Sequence, residues 1–309
     1  VRPRLPPAVE IGKEVTSLIK FLQQMINGTS IGFIYALIAI GYSLIYSILS
    51  FSNFAHSTFI IAGAYTGFFL LTSASLPLPL SLLGALAGAA LIAVFAEKVA
   101  YRPIREKGNP TLYFIIASMG MSIFGENIVI ATIGPKFRSY PQILSVTAFD
   151  MGGISISVLD IMAAVIGSVF LLLLMYIINE TKQGMAIRAA AFDLDTVGLM
   201  GVNTNQLICL VFIVAGALAG LAGFFLGMKY TVYPQLGNLT MKAYIAAVFG
   251  GLGSLPGAVV GSVLLGIMET IIAGYFASTL RDIFVFALLI LVLLVRPSGL
   301  MGVKREDKV

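Results

Sequence analysis

Residues 240–275 read TMKAYIAAVFGGLGSLPGAVVGSVLLGIMETIIAGY. The stretch is apolar from end to end, yet it is cut by Gly250-Gly251-Leu252-Gly253-Ser254-Leu255-Pro256-Gly257. Glycine weakens a helix interior and proline blocks it, so no single helix runs through that octet. The region reads as a half-helix, a break and a nearly full helix. Crossing a bilayer takes about 20 apolar residues. Runs of that length lie at about 30–49, 57–73, 78–97, 111–133, 156–178, 206–228 and 281–296. The total is eight segments, or nine with the half-helix counted separately. Backbone polar groups in hydrocarbon must be satisfied within the segment, which makes these runs helices. The period-two alternation of a membrane β-barrel is absent. The expected fold class is all-α: a polytopic membrane helix bundle of about eight transmembrane helices with broken or re-entrant segments.

Composition points the same way. Of 309 residues, 59% are hydrophobic and 11% charged. Soluble domains carry about 45–50% apolar and about 25% charged residues. A water-soluble globule, a disordered chain and a coiled coil are therefore excluded. The net charge of +5 points to basic cytoplasmic loops rather than to nucleic acid. A single cysteine, Cys209, and a single histidine, His56, allow no internal disulfide and argue against a zinc cage or an iron–sulfur cluster. No metal and no cofactor is expected. Residues 1–20 are polar and proline-rich without the pattern of a signal peptide. They are read as an N-terminal tail, 21–303 as one transmembrane domain and 304–309 as a C-terminal tail.

Lysine and arginine in short loops orient the bundle. Loop 98–110 holds Lys98, Arg102, Arg105 and Lys107 and is placed in the cytoplasm; loop 74–77 holds none and is placed outside. Loop 179–205 then falls inside. Loop 134–155, with Lys136 and Arg138, falls outside against the rule. The C-terminal Arg296, Lys304, Arg305 and Lys308 fall inside only if 240–275 crosses twice. The N-terminus falls outside despite Arg2, Arg4, Lys13 and Lys20.

Irregular backbone at membrane depth survives only under cover of protein or a water-filled cavity. Two breaks qualify: 51–57 (Phe-Ser-Asn-Phe-Ala-His-Ser) and 250–257. Each is either a lining of a solute path or an ordinary turn. The candidates for the path are Asn53, His56, Ser57, Glu126, Gly251, Gly253 and Ser254. His56 is either a structural residue or a proton relay. Among acids within or near helices, Glu97, Asp160 and Asp282 are expected at the interfaces. Glu126 and Glu269 lie deeper, where a charge costs roughly 2.5–3.5 kcal/mol. Gly216, Gly220 and Gly223, with Gly257, Gly261 and Gly266, have the small-residue spacing of close helix contacts. Loop 179–205 carries a helix-favouring stretch at 185–192. It has a second apolar patch at Val197, Leu199, Met200 and Val202. It reads as a helix lying against the bundle or as a docking element for a cytoplasmic partner.

Several motifs, in order, resemble the LivH-type permease subunits of branched-chain (hydrophobic) amino acid ABC importers. They are Tyr35-Ala36-Leu37-Ile38-Ala39-Ile40-Gly41-Tyr42, Asn53-Phe54-Ala55-His56, Gly63-Ala64-Tyr65, Gly184-Met185-Ala186-Ile187-Arg188-Ala189 with Asp193, Leu199-Met200-Gly201-Val202, the octet at 250–257, Leu280-Arg281-Asp282 and Arg296-Pro297-Ser298-Gly299-Leu300. The resemblance covers about residues 20–303. Two positions depart from the pattern: Ser57 where the family usually has Gly, and Glu126 where it usually has Gln. The resemblance implies a multi-pass protein of a bacterial or archaeal inner membrane. It also implies a LivM-like second permease, two cytoplasmic ABC ATPases and an external solute-binding protein as partners. It places an ATPase-docking surface on Gly184, Ile187, Arg188, Ala189, Asp193, Leu199 and Gly201. No Gly-x-x-x-x-Gly-Lys-Ser/Thr pattern occurs, so ATP hydrolysis is expected on another polypeptide and no catalytic residue here. The alternatives are a permease for urea or short amides in the same class and an ion-coupled secondary transporter using Glu126, Glu269 or His56. A channel or an intramembrane enzyme has no supporting motif.

Overall fold

The computed structural model describes residues 7–141, 147–151, 154–276, 278–296 and 298–302. The chain begins with α1 (Pro7–Leu49), α2 (His56–Thr72) and α3 (Leu78–Ala96). One π turn, Glu97–Tyr101, leads from α3 into α4 (Arg102–Glu106). Then come α5 (Thr111–Thr132), a hairpin of β1 (Thr147–Met151) and β2 (Ile154–Ser157), and α6 (Val158–Glu180). Two short helices, α7 (Lys182–Phe192) and α8 (Leu194–Leu199), precede α9 (Thr204–Lys229). The chain closes with a 3₁₀ turn (Pro234–Leu239), α10 (Thr240–Gly250), α11 (Leu255–Tyr275) and α12 (Arg281–Val295).

The bundle is helical as expected, with differences at the ends of elements. Among the described residues, six helices are long and apolar enough to cross a membrane. The 17 residues of α2, the 11 of α10 and the 15 of α12 fall short of that length. The first helix starts at Pro7 rather than at 30, because its polar first half continues the apolar second half without a break. The hairpin was not foreseen: its strands are too short for alternation to register.

Small residues set the helix spacing, since lipid supplies no hydrophobic drive between helices. A Cβ on Gly220 would meet Ala85 O of α3 at 2.6 Å, and one on Gly216 would meet Ala93 Cβ at 2.6 Å. Gly63 of α2 lies directly on the backbone of Gly220, and a Cβ on Gly266 of α11 would stand 2.7 Å from Gly32 Cα of α1. The small-residue spacing read from sequence is thus the packing of α1 on α11 and of α9 on α2 and α3. The core lies along α1, α2 and α9, where Ala36, Leu37, Ile38, Phe59, Phe212, Leu221 and Phe225 are buried.

Contacts sort the ends of the helices. At one end lies the α10–α11 turn, where a Cβ on Gly253 would stand 3.9 Å from Ser47 Cβ of α1. There Arg105 and Glu106 bond Asn205 (2.6 and 3.3 Å), and the tail runs over α10 with Leu300 N donating to Phe249 O and Met301 N to Gly250 O (2.9 Å each). At the other end the hairpin meets α1 through Gln23 and Ser155 (2.8 Å), and Asp160 bonds Ser30 (2.6 Å) and pairs with Lys229. Two of the basic residues that opposed the orientation rule, Arg138 and Lys20, are tied into this second end. Arg138 stacks 5.4 Å over Phe69 and donates to Ile133 O (3.2 Å), and Lys20 lies 5.0 Å over Tyr275.

Candidate functional site: two half-helices and a helical hairpin

The break at 51–57 reaches membrane depth. After Leu49 the chain turns at Ser50, the left-handed residue of that corner (φ 55°), and runs back along α1. Helix α2 therefore starts at His56 beside Gly41, about 12 Å short of the end of α1. The His56 ring is level with Ala215, near the middle of α9: a Cβ on Gly41 would meet His56 Cε1 at 3.0 Å and Ala215 O at 3.1 Å. Asn53 holds this re-entrant segment. Its Oδ1 accepts from Tyr101 Oη (2.7 Å) and Ala55 N (3.1 Å), and both Asn53 and Tyr101 are fully buried.

A second discontinuity, missed in the sequence, lies at 230–239. Beyond α9 the chain descends through a bridge between Val232 and Arg138 and the 3₁₀ turn. A Cβ on Gly237 would meet Ser57 O at 2.7 Å and Ser57 Cβ at 2.9 Å. Two half-helices, α2 entering after 50–55 and α10 entering after 230–239, thus begin at the same depth and beside each other. Their positive dipole ends converge at mid-bundle.

Helix α5 closes this place through polar contacts. Ser122 Oγ and Ser57 Oγ are 2.7 Å apart, Thr58 Oγ1 donates to Met121 O (3.1 Å), Ser118 Oγ to Ser52 O (3.4 Å), and Gln235 Nε2 to Glu126 Oε1 (2.7 Å). The rest of α5 presents Leu112, Ile116, Ile123, Phe124 and Ile128 outward. Of its residues only Phe114, Ser118 and Gly125 are buried. Phe54 and Tyr244 of α10 face each other across the same place, ring centroids 6.4 Å apart.

The sequence candidates separate accordingly. Ser57 and Glu126 meet at this junction. Asn53 is a buried latch. His56 is fully buried, edge-on to Tyr42 and Phe59 (6.1 and 5.6 Å), and neither ring nitrogen has a bonding partner among the described residues. Gly251, Gly253 and Ser254 lie elsewhere, in the turn at the end of the bundle. Gly251 (φ 114°) sits under Gly302, and Ser254 caps α11 by accepting from Gly257 N at 3.2 Å. Ser122, Gln235 and Tyr244 were not foreseen. The polar cluster Pro234-Gln235-Leu236-Gly237-Asn238 was the available signal for the second break.

The acids expected at interfaces divide too. Asp160 and Asp282 are near helix ends as expected, Asp282 pairing with Lys242 at 3.0 Å. Glu97 is likewise at a helix end, that of α3, but is fully buried there, because the π turn brings Arg102 and Arg105 onto it at 3.1 Å each. Glu269 is buried between Lys242 and Arg281 (3.3 Å to the latter) and joins α10, α11 and α12. It is a structural cross-link.

Loop 179–205 folds as a helical hairpin on the end of α6. Thr181 starts α7 by accepting from Gly184 N (3.0 Å), and α7 packs inward through Gly184, Ile187 and Ala190. Arg188 donates to Ile178 O, a carbonyl at the end of α6 that lacks a helical partner. Asp193 caps α8, accepting from Asp195 N (3.1 Å), Thr196 N (3.0 Å) and Thr196 Oγ1 (2.7 Å). Gly201 (φ 87°) closes α8 in a left-handed turn. Ala189 lies on the exposed side. Phe192, Leu199 and Met200 are 89%, 88% and 80% exposed.

This layout meets known proteins over nearly its whole length. Residues 24–293 match the family described as "Branched-chain amino acid transport system / permease component". The chain belongs to that family. It is 39% identical over 303 residues to the high-affinity branched-chain amino acid transport system permease protein BraD of Pseudomonas aeruginosa, covering 94% of this chain and 98% of that one. It is 37% identical, with the same coverage, to LivH of Escherichia coli K12, which has the same description. Among solved structures, a chain of PsaBC from Streptococcus pneumoniae in complex with Fab superposes with a TM-score of 0.51. The identity there is 14%, over 90% of this permease and 92% of that chain, so the likeness is one of fold. The permease is a multi-pass membrane protein with a transport role.

Proposed function

We propose that this permease is the translocation subunit of an ATP-binding-cassette importer for branched-chain amino acids in an inner membrane. It works with a LivM-like permease, two cytoplasmic ATPases and an external solute-binding protein. The observation that carries the mechanism is the junction of Ser57 and Gly237, where two half-helix N-termini meet under α5. Converging positive helix ends favour the carboxylate of a zwitterion, and Glu126 beside Gln235 favours its ammonium. Phe54 and Tyr244 offer apolar surface to the side chain. Helix α5 is the moving wall, since hydroxyls and one Glu–Gln bond attach it where other helices use close backbone packing. Selection among solutes falls to the external binding protein, so a dense polar pocket is not needed. The hairpin of α7 and α8 receives the ATPase on Phe192, Leu199 and Met200. Arg188 and Asp193 act through the hairpin's shape, and catalysis of ATP hydrolysis stays on the partner.

The test is uptake of labelled leucine into vesicles holding the full complex. Uptake should need ATP, both ATPases and the binding protein, and should survive a protonophore. Uptake by the permeases alone that collapses with a protonophore would overturn the reading in favour of ion coupling. In a Cys209→Ser background, Ser122→Cys should react with a soluble thiol reagent at a rate that depends on bound nucleotide. A thiol inert in every state would remove α5 from the path.

A further inference from the structure

The groove between α9 and the π turn and α4 that follow α3 combines features that the transport role does not use. It has a volume of about 420 Å³ and is lined by Lys98, Arg102, Gln206, Cys209, Leu210 and Ile213. Lys98 lies about 30 Å along its helix from Leu78, which is the thickness of a bilayer's hydrocarbon core. The groove therefore opens at the hydrocarbon–headgroup boundary, at the end of the bundle that carries the basic loop 98–110. Arg102 is held there by Glu97 (3.1 Å) and Arg105 by Glu97 and Asn205 (3.1 and 2.6 Å). Glu106 takes its bond from Asn205. Lys98 is exposed and pairs with no carboxylate among the described residues. Toward the membrane centre the same region presents Leu91 and Phe95 of α3 and Ile213 of α9, with Val99 of the π turn at the mouth, all exposed. A cationic mouth at headgroup depth above an apolar rail has the chemistry of an anionic phospholipid.

We propose that this groove binds an anionic phospholipid, with the phosphate at Lys98 and Arg102, Gln206 beside the headgroup and one acyl chain along Phe95, Val99 and Ile213. Arg102 is kept in place by buried Glu97, so the lipid meets a prearranged cation. Lys98 and Arg102 are four residues apart and so share one helix face, while Glu97 is buried on the inner side.

The full chain is reconstituted in vesicles of equal phosphatidylglycerol and phosphatidylcholine, extracted in mild detergent, and its retained lipid measured by mass spectrometry. The wild type should retain phosphatidylglycerol about five-fold over phosphatidylcholine, the factor for about 1 kcal/mol from one cation near anionic lipid, here Lys98, since Glu97 balances the charge of Arg102. Lys98→Gln should remove that preference and Lys182→Gln, on α7, should keep it. Both substitutions are at exposed positions, and thermal unfolding checks that they fold alike. Modification of Cys209 by an uncharged maleimide locates the lipid. It should be slower in phosphatidylglycerol than in phosphatidylcholine, and not slowed by inorganic phosphate. Equal retention in wild type and Lys98→Gln, or equal Cys209 rates in the two lipids, overturns the proposal. Protection by inorganic phosphate alone would assign the mouth to a soluble anion and overturn it as a lipid site.

Discussion

Leu199→Ala tests the docking surface without disturbing the fold. The side chain is 88% exposed on α8, so its loss removes almost no internal packing, and the unfolding midpoint should stay within about 1 °C of wild type. If an ATPase covers Leu199, the truncation deletes about three carbon groups from a buried contact, at about 0.8 kcal/mol each. The ceiling is about 2.4 kcal/mol, and imperfect burial brings the expected loss to about 1.5–2 kcal/mol. At 1.4 kcal/mol per decade, ATPase affinity should weaken roughly 10- to 30-fold. Phe192→Ala should do at least as much, because the ring is larger and 89% exposed. The assay is titration of the ATPase onto the permease in nanodiscs, with uptake measured in parallel. Binding within about two-fold of wild type for both variants, equivalent to about 0.4 kcal/mol, would refute docking through this patch. Asp193→Ala is the informative contrast. It removes three bonds that start α8 and should cost about 1 kcal/mol locally, so any binding loss would come with a loosened hairpin, seen as faster hydrogen exchange at 194–199.

Three further expectations follow from the packing and the junction. Glu126→Ala should cut leucine uptake while leaving assembly and unfolding near wild type, since Glu126 is half-buried and, among the described residues, its side chain is bonded to Gln235 alone; unchanged uptake removes it from the path. Gly63→Val forces side-chain atoms into the backbone of Gly220 and should destabilise by about 1–3 kcal/mol, read as a lowered midpoint in detergent. Glu97→Ala removes the buried carboxylate from Arg102 and Arg105, whose side chains keep partial exposure, and should cost about 1.5–3 kcal/mol, the range for hydrogen bonds to charged groups; a midpoint equal to wild type would show that water reaches this cluster freely.

The membrane bundle, the broken segment at 240–275 and the surface character of loop 179–205 were legible in the sequence. Each rests on a local signal: a run of apolar residues, glycines with a proline, or apolar side chains beside charged ones. Gly216 and Gly220 were legible as packing residues for the same reason, because small-residue spacing is a property of one helix face. Arg188 and Asp193 were legible as belonging to the loop 179–205, but their contacts were not. What they touch, the Ile178 carbonyl and the start of α8, depends on how α7 turns back on α6.

Depth was decided only in the folded chain. The breaks at 51–57 and 250–257 have the same two readings in the sequence, path lining or ordinary turn, yet one begins a half-helix at mid-bundle and the other is a turn at its end. The difference comes from Ser50 sending the chain back along α1 to the Tyr101 hydroxyl, a partner 48 residues from Asn53. The meeting of Ser57 with Gly237 spans 180 positions, and neither segment carries a periodicity that announces it. Charge behaved the same way. Glu97 reads as an interfacial acid until the π turn folds two arginines onto it, and only that pairing makes its burial affordable in a low-dielectric interior. Sequence determines which segments leave water, because transfer energy adds along the chain. The tertiary structure decides which polar groups they carry with them, because that depends on the partner each finds across the bundle.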